Sequence, residues 1–111
     1  MDKNSKNSDF FKQAVKGRCK INNISPMKPR FETIENIVVI SIKNHLKDGV
    51  DFECFKILNW IYQILGPSGV KFNQQLYLYP NSERLDRVTV SIEKEDYDAL
   101  NIKMKDGNVN N

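Results

Sequence analysis

The sequence predicts an α+β fold: a mostly antiparallel three- to four-stranded sheet with two helices on one face and a flexible basic N-terminal arm. Three observations carry that expectation. Residues 87–92, RVTVSI, alternate apolar and polar, the period of a strand buried on one side only. Residues 51–65, DFECFKILNWIYQIL, place Glu53, Lys56, Asn59 and Gln63 on one narrow polar stripe of an otherwise apolar helix. Charge is also divided, with eight Lys or Arg against two acids in residues 1–30 and nine against twelve in the remainder.

Taken in order, MDKNSKNSD is too polar to bury itself and reads as disordered. FFKQAVKGR sets Phe10, Phe11, Ala14 and Val15 on one helical face, with Lys12 and Lys16 opposite, Asp9 or Ser8 as cap and Gly17 as the end. SPMKP excludes helix, because each proline fixes its own φ and biases the residue before it to extended geometry. The expected organisation is an arm over residues 1–29, one folded domain over 30–106 and a disordered tail over 107–111.

FETIENIVVISIK reads as one central strand. Its β-branched run Ile37, Val38, Val39, Ile40 and Ile42 does not alternate, which suits a strand covered on both faces, or at least one deep in the sheet. NHLKDG breaks the pattern. Asp51 caps the following helix. Gly66 then occupies the left-handed position after the helix, Pro67 blocks continuation, Ser68-Gly69 turns and Val70 opens a strand. A phosphate-cradling loop needs its glycines before a helix, not after one, so ILGPSGVKF reads as punctuation.

VKFNQQLYLYP reads as a hairpin turning at Asn73-Gln74, the alternative being one long strand. With one strand the order β-α-β-β-α resembles a ferredoxin-like split unit without its last strand. Either way Leu76 and Leu78 face one side, Tyr77 and Tyr79 the other. EKEDYDALNIKMK closes the domain as a helix, with acids in its first turn, lysines in its last and an apolar stripe of Tyr97, Leu100 and Met104.

The chemistry is narrow. One histidine, His45, lies in a polar turn, and two cysteines, Cys19 and Cys54, stand far apart, so neither a metal site nor a His-dependent triad has supporting spacing. The acids Glu93, Glu95, Asp96 and Asp98 fit a helix start better than a catalytic pair. We therefore expect no enzyme, no cofactor and no small-molecule substrate. The cysteine usage and the lack of an early apolar stretch behind a basic start fit a cytoplasmic protein.

Surfaces are more informative. Tyr77, Tyr79, Thr89, Ser91 and Lys71 share a sheet face that two helices leave open. Trp60 sits on a helix apolar around most of its circumference. These residues, with Phe10 and Phe11, are the expected contacts to a protein partner or to a second copy of the chain. Lys12, Lys16, Arg18 and Lys20 are the expected anion contacts of the arm. Nucleic-acid binding by the arm and the tyrosine face is the alternative.

Two resemblances follow from particular residues. RVTVSIEKEDYDAL, residues 87–100, resembles the strand and first helix of ribbon-helix-helix DNA-binding proteins, but Arg87 is the only base on its strand face, and no function is carried over. FKILNWIYQILGPSGVKF followed by LYLYP is similar to the core of the SepF family of bacterial division proteins, without that family's internal helix glycine. That resemblance implies a dimerising α/β domain behind an N-terminal amphipathic membrane helix, for which the Phe10-Phe11 segment would serve in a membrane-tethered division scaffold.

Overall fold

Four antiparallel strands form one sheet in the order β1-β2-β4-β3, and three helices lie along one of its faces. This is the arrangement in a computed structural model, which describes residues 9–24, 29–47 and 49–106. The α+β class and the antiparallel sheet are as the sequence predicts. The third helix is the main addition.

That helix, α1 (Phe10–Ile21), forms from the segment expected to belong to the arm. Asp9 caps it, its carboxylate accepting the Lys12 N–H at 3.1 Å. The helix runs through Gly17 rather than ending there. It stops where Asn23 takes a positive φ of 60° and the Ile24 and Asn23 N–H groups fold back to the Cys19 and Lys20 carbonyls at 2.7 and 3.1 Å. Phe11, Val15 and Cys19 recur every fourth residue, form one stripe and are buried. Through these three side chains α1 is part of the folded core. The expectations for residues 1–8, 25–28 and 107–111 lie outside the described residues.

FETIENIVVISIK is a hairpin and not a single strand. β1 (Pro29–Ile34) and β2 (Ile37–Lys43) pair antiparallel around Glu35-Asn36, with Glu35 at φ 56°. β2 is central but covered on one face only. Val38, Ile40 and Ile42 are buried against the helices, opposite Ile92, Val90 and Val88 of β4 (Leu85–Glu93), whereas Val39 and Ser41 look the other way.

The helix α2 (Phe52–Ser68) is capped by Asp51, which accepts the Glu53 N–H at 3.0 Å. It continues past Gly66 and Pro67, and the left-handed cap is Gly69, at φ 75°. Pro67 has no N–H to offer one turn back, but this close to the helix end the loss is small. Ser68 Oγ donates to the Leu65 carbonyl at 2.8 Å and helps tie the last turn. Cys54, Ile57, Leu58, Ile61 and Leu65 face the core, while Phe52 and Phe55 remain exposed.

β3 (Asn73–Leu78) is one strand, so no turn forms at Asn73-Gln74. The connection from β2 through α2 skips over β4 to reach it, as in a split β-α-β unit. β1, arriving from upstream, supplies a fourth strand on the far side of β2. Finally α3 (Lys94–Lys105) follows β4 directly. Glu93 does not cap it with its side chain; the Lys94 N–H is taken by the Asn36 carbonyl at 2.8 Å.

α1 packs against both other helices. Asn101, buried on α3, accepts the Phe11 N–H at 2.8 Å, and Tyr97 Oη donates to Asp9 Oδ1 at 2.6 Å. The Phe11 ring meets Tyr97 and Phe31 edge-on, at centroid distances of 5.7 and 6.2 Å. No helix among the described residues is long and apolar enough to cross a membrane.

Candidate functional site

Strand alternation and register determine what the open face carries. β1 contributes Arg30, Glu32 and Ile34, and β2 contributes Ile37, Val39, Ser41 and Lys43. β4 adds Arg87, Thr89, Ser91 and Glu93, and β3 adds Asn73, Gln75 and Tyr77. The middle is small or hydroxylic. Charge is graded along the strands, with Arg30, Lys43 and Arg87 towards one end and Glu93 at the other.

At the basic end a bulge reorganises β4. Tyr77 pairs with Arg87 and Leu78 with Leu85, which leaves Asp86 unopposed. An unopposed residue is free to turn, and such irregularities commonly re-aim a side chain. Asp86 reaches across to the Lys43 ammonium, and its other oxygen accepts from Arg87 Nη1 at 3.0 Å.

Both tyrosines are roofed by cations. The Arg87 guanidinium carbon stands 4.1 Å from the Tyr77 ring centroid, and that of Arg84 stands 4.4 Å from the Tyr79 ring. Lys43 Nζ donates to Tyr79 Oη at 3.1 Å and lies 5.2 Å from the same ring. Tyr77 Oη donates to Gln75 at 2.9 Å. The hydrogen bond to Lys43, more than any other contact, holds the Asp86 carboxyl below the usual carboxylate range. Lys43 is pushed above its ordinary value, first by Asp86 and then by Tyr79. The result is a network of Lys43, Tyr77, Tyr79, Arg84, Asp86 and Arg87, with two cations on one acid and a third on the Tyr79 ring.

Of the residues expected to share the open face, Tyr77, Thr89 and Ser91 do so, Thr89 buried among its neighbours, and Tyr79, just past the end of β3, joins them through its contact with Lys43. Lys71 precedes β3 and lies outside the sheet. Trp60 is half-buried against the core, with the Arg18 guanidinium 5.9 Å from its ring. Phe11 is wholly buried, and Phe10 is half-buried in a groove shared with Tyr97 and Ile102. The apolar face of α1, on which a membrane-lying helix would depend, is thus turned inward. Lys12 leans over Phe31 at 5.8 Å, Lys16 is half-buried and Lys20 is exposed. Because Phe31 and Trp60 belong to the helix side of the sheet, Lys12 and Arg18 lie on the opposite side from Tyr77.

Lys43, Arg84 and Asp86 are the residues that alternation alone misses. The clue was present in LYLYPNSERLDR, where cations closely follow the tyrosine pair, but the bulge that turns Asp86 has no local signature. The sequence matches no family model, and comparison with curated proteins and with solved structures likewise finds no match.

Proposed function

We propose that this protein is a small non-enzymatic binding module that takes a protein partner on the open face of its sheet, with carboxylates of the partner against Lys43, Arg84 and Arg87. The observation that carries this reading is the pair of arginines lying on Tyr77 and Tyr79. Arginine and tyrosine are among the residues that dominate interface energetics, and side chains already held in place lose less freedom on binding. A guanidinium also offers a carboxylate two parallel donors.

One feature of the same pairs favours a second reading. A planar cation resting on a ring can stack a base on its outer side, which suits single-stranded nucleic acid. The α1 cations Lys12 and Arg18 would not join that surface, since they stand across the sheet from it.

The test is a titration of the full chain with a labelled Glu-rich peptide and with a labelled mixed-sequence DNA single strand, each at two salt concentrations. We expect the peptide to bind at low salt, and Arg84→Ala with Arg87→Ala to weaken binding by roughly tenfold or more. Strand binding that depends on the same arginines would move the assignment to nucleic acid. Binding of neither probe, or binding that ignores both arginines, would remove the open face from consideration.

A further inference from the structure

We infer that two copies of this chain pair edge to edge through β3, joining their sheets into one continuous antiparallel sheet. β1 and β3 are the two edges. An edge strand presents a row of backbone donors and acceptors, and proteins that stay apart guard such rows with proline or charge. β1 is guarded by Pro29, Arg30 and Glu32. β3 reads NQQLYL, with no charge and no proline. Its helix-side leucines, Leu76 and Leu78, are 61% and 53% exposed, because the helices do not extend over this edge.

A free strand edge specifies another strand, and the neutrality of β3 selects a second copy. A two-fold axis normal to the sheet keeps each face on its own side, so residues facing one another must belong to the same face. With Leu76 on the axis, the two Leu76 side chains meet, each Gln74 faces Leu78, and each Gln75 faces Tyr77. No charge meets a like charge anywhere along the strand. The Gln75–Tyr77 pairing also repeats, between copies, a polar contact that exists within the strand at 2.9 Å. Pairing leaves the open face uncovered and places both Arg87–Tyr77 pairs on it. The inference therefore stands independently of what that face binds.

The experiment is sedimentation velocity on the full chain, without ligand, over a wide concentration range. We expect a concentration-dependent dimer. Leu76→Lys, which sets two ammonium groups on the axis and removes the leucine contact, should weaken dimerisation by roughly a hundredfold. Leu76→Cys under mild oxidant should give a disulfide-linked dimer, while the wild type, whose Cys19 and Cys54 are buried, gives none. The cross-link decides the matter even if the lysine variant does not fold. A wild type that stays monomeric at the highest concentration overturns the inference. So does a dimer that Leu76→Lys leaves intact and Leu76→Cys does not cross-link.

Discussion

Asn44 is only 1% exposed and uses its whole amide. Its Nδ2 lies 3.2, 3.1 and 3.0 Å from the carbonyls of Leu46, Gly49 and Leu85, and its Oδ1 accepts the Asp51 N–H at 2.6 Å. Its own N–H donates to the Asp86 carbonyl at 2.9 Å. One side chain thus fixes the loop between β2 and α2, the start of that helix and the beginning of β4 beside the bulge. Leaving part-buried carbonyls and an amide unmet costs more than the net worth of the bonds themselves. We expect Asn44→Ala to lower unfolding free energy by about 2–3 kcal/mol in urea titrations. The variant should also weaken binding at the open face, because the Leu85 carbonyl next to Asp86 would lose its donor and the start of β4 its anchor. Nothing in NHLKDG announces this role, since an asparagine in a polar turn looks the same whether its partners are local or on a distant strand.

Among the elements, α1 changes most between expectation and structure. Its sequence is polar on average and Lys-rich, and only the stripe Phe11, Val15, Cys19 betrays its destination. Truncation of residues 1–22 is consequently not the removal of a loose tail. Exposing those three side chains and the surface beneath them forfeits roughly 5 kcal/mol or more, on the order of a small domain's whole stability. We expect the truncated chain to bind a hydrophobic dye and to lose a cooperative thermal transition, read by near-UV circular dichroism. Other elements were more legible. β4 shows its alternation, and α2 and α3 show their stripes. The β1–β2 hairpin was hidden because Glu35, which adopts a positive φ, is not a residue that marks turns. At the candidate surface, Tyr77 and Tyr79 were visible from period two. Their arginine roofs needed the register of β4 on β3 and the turn back to Arg84.

For the molecule as a whole, pH is the informative variable. Burial, reinforced by the hydrogen bond to Asp9, pushes the Tyr97 phenol well above its ordinary range, and burial moves Tyr62 the same way. Unfolding restores an ordinary phenol that ionises near pH 10. Below about pH 10 neither state releases the proton and stability is undiminished; above it only the unfolded chain does, so stability falls as pH rises. Denaturant titrations across that range should show the fall. Tyr97→Phe should flatten it while costing about 1 kcal/mol at neutral pH for the lost hydrogen bond.

The bonds from Asp9 and Phe11 to Tyr97 and Asn101 join residues 88 and 90 positions apart. During synthesis the chain is made from its first residue onward, so α1 leaves the ribosome long before its partners exist. Until residues 97–101 emerge, the stripe of Phe11, Val15 and Cys19 has α2 and Phe31 but no α3 to lie against, and the nascent chain carries it only partly covered. α3, made after all four strands, is therefore the element that completes the cover over α1, and a ribosome that stalls within β4 would hold out an incompletely covered apolar helix to whatever chaperone is nearest.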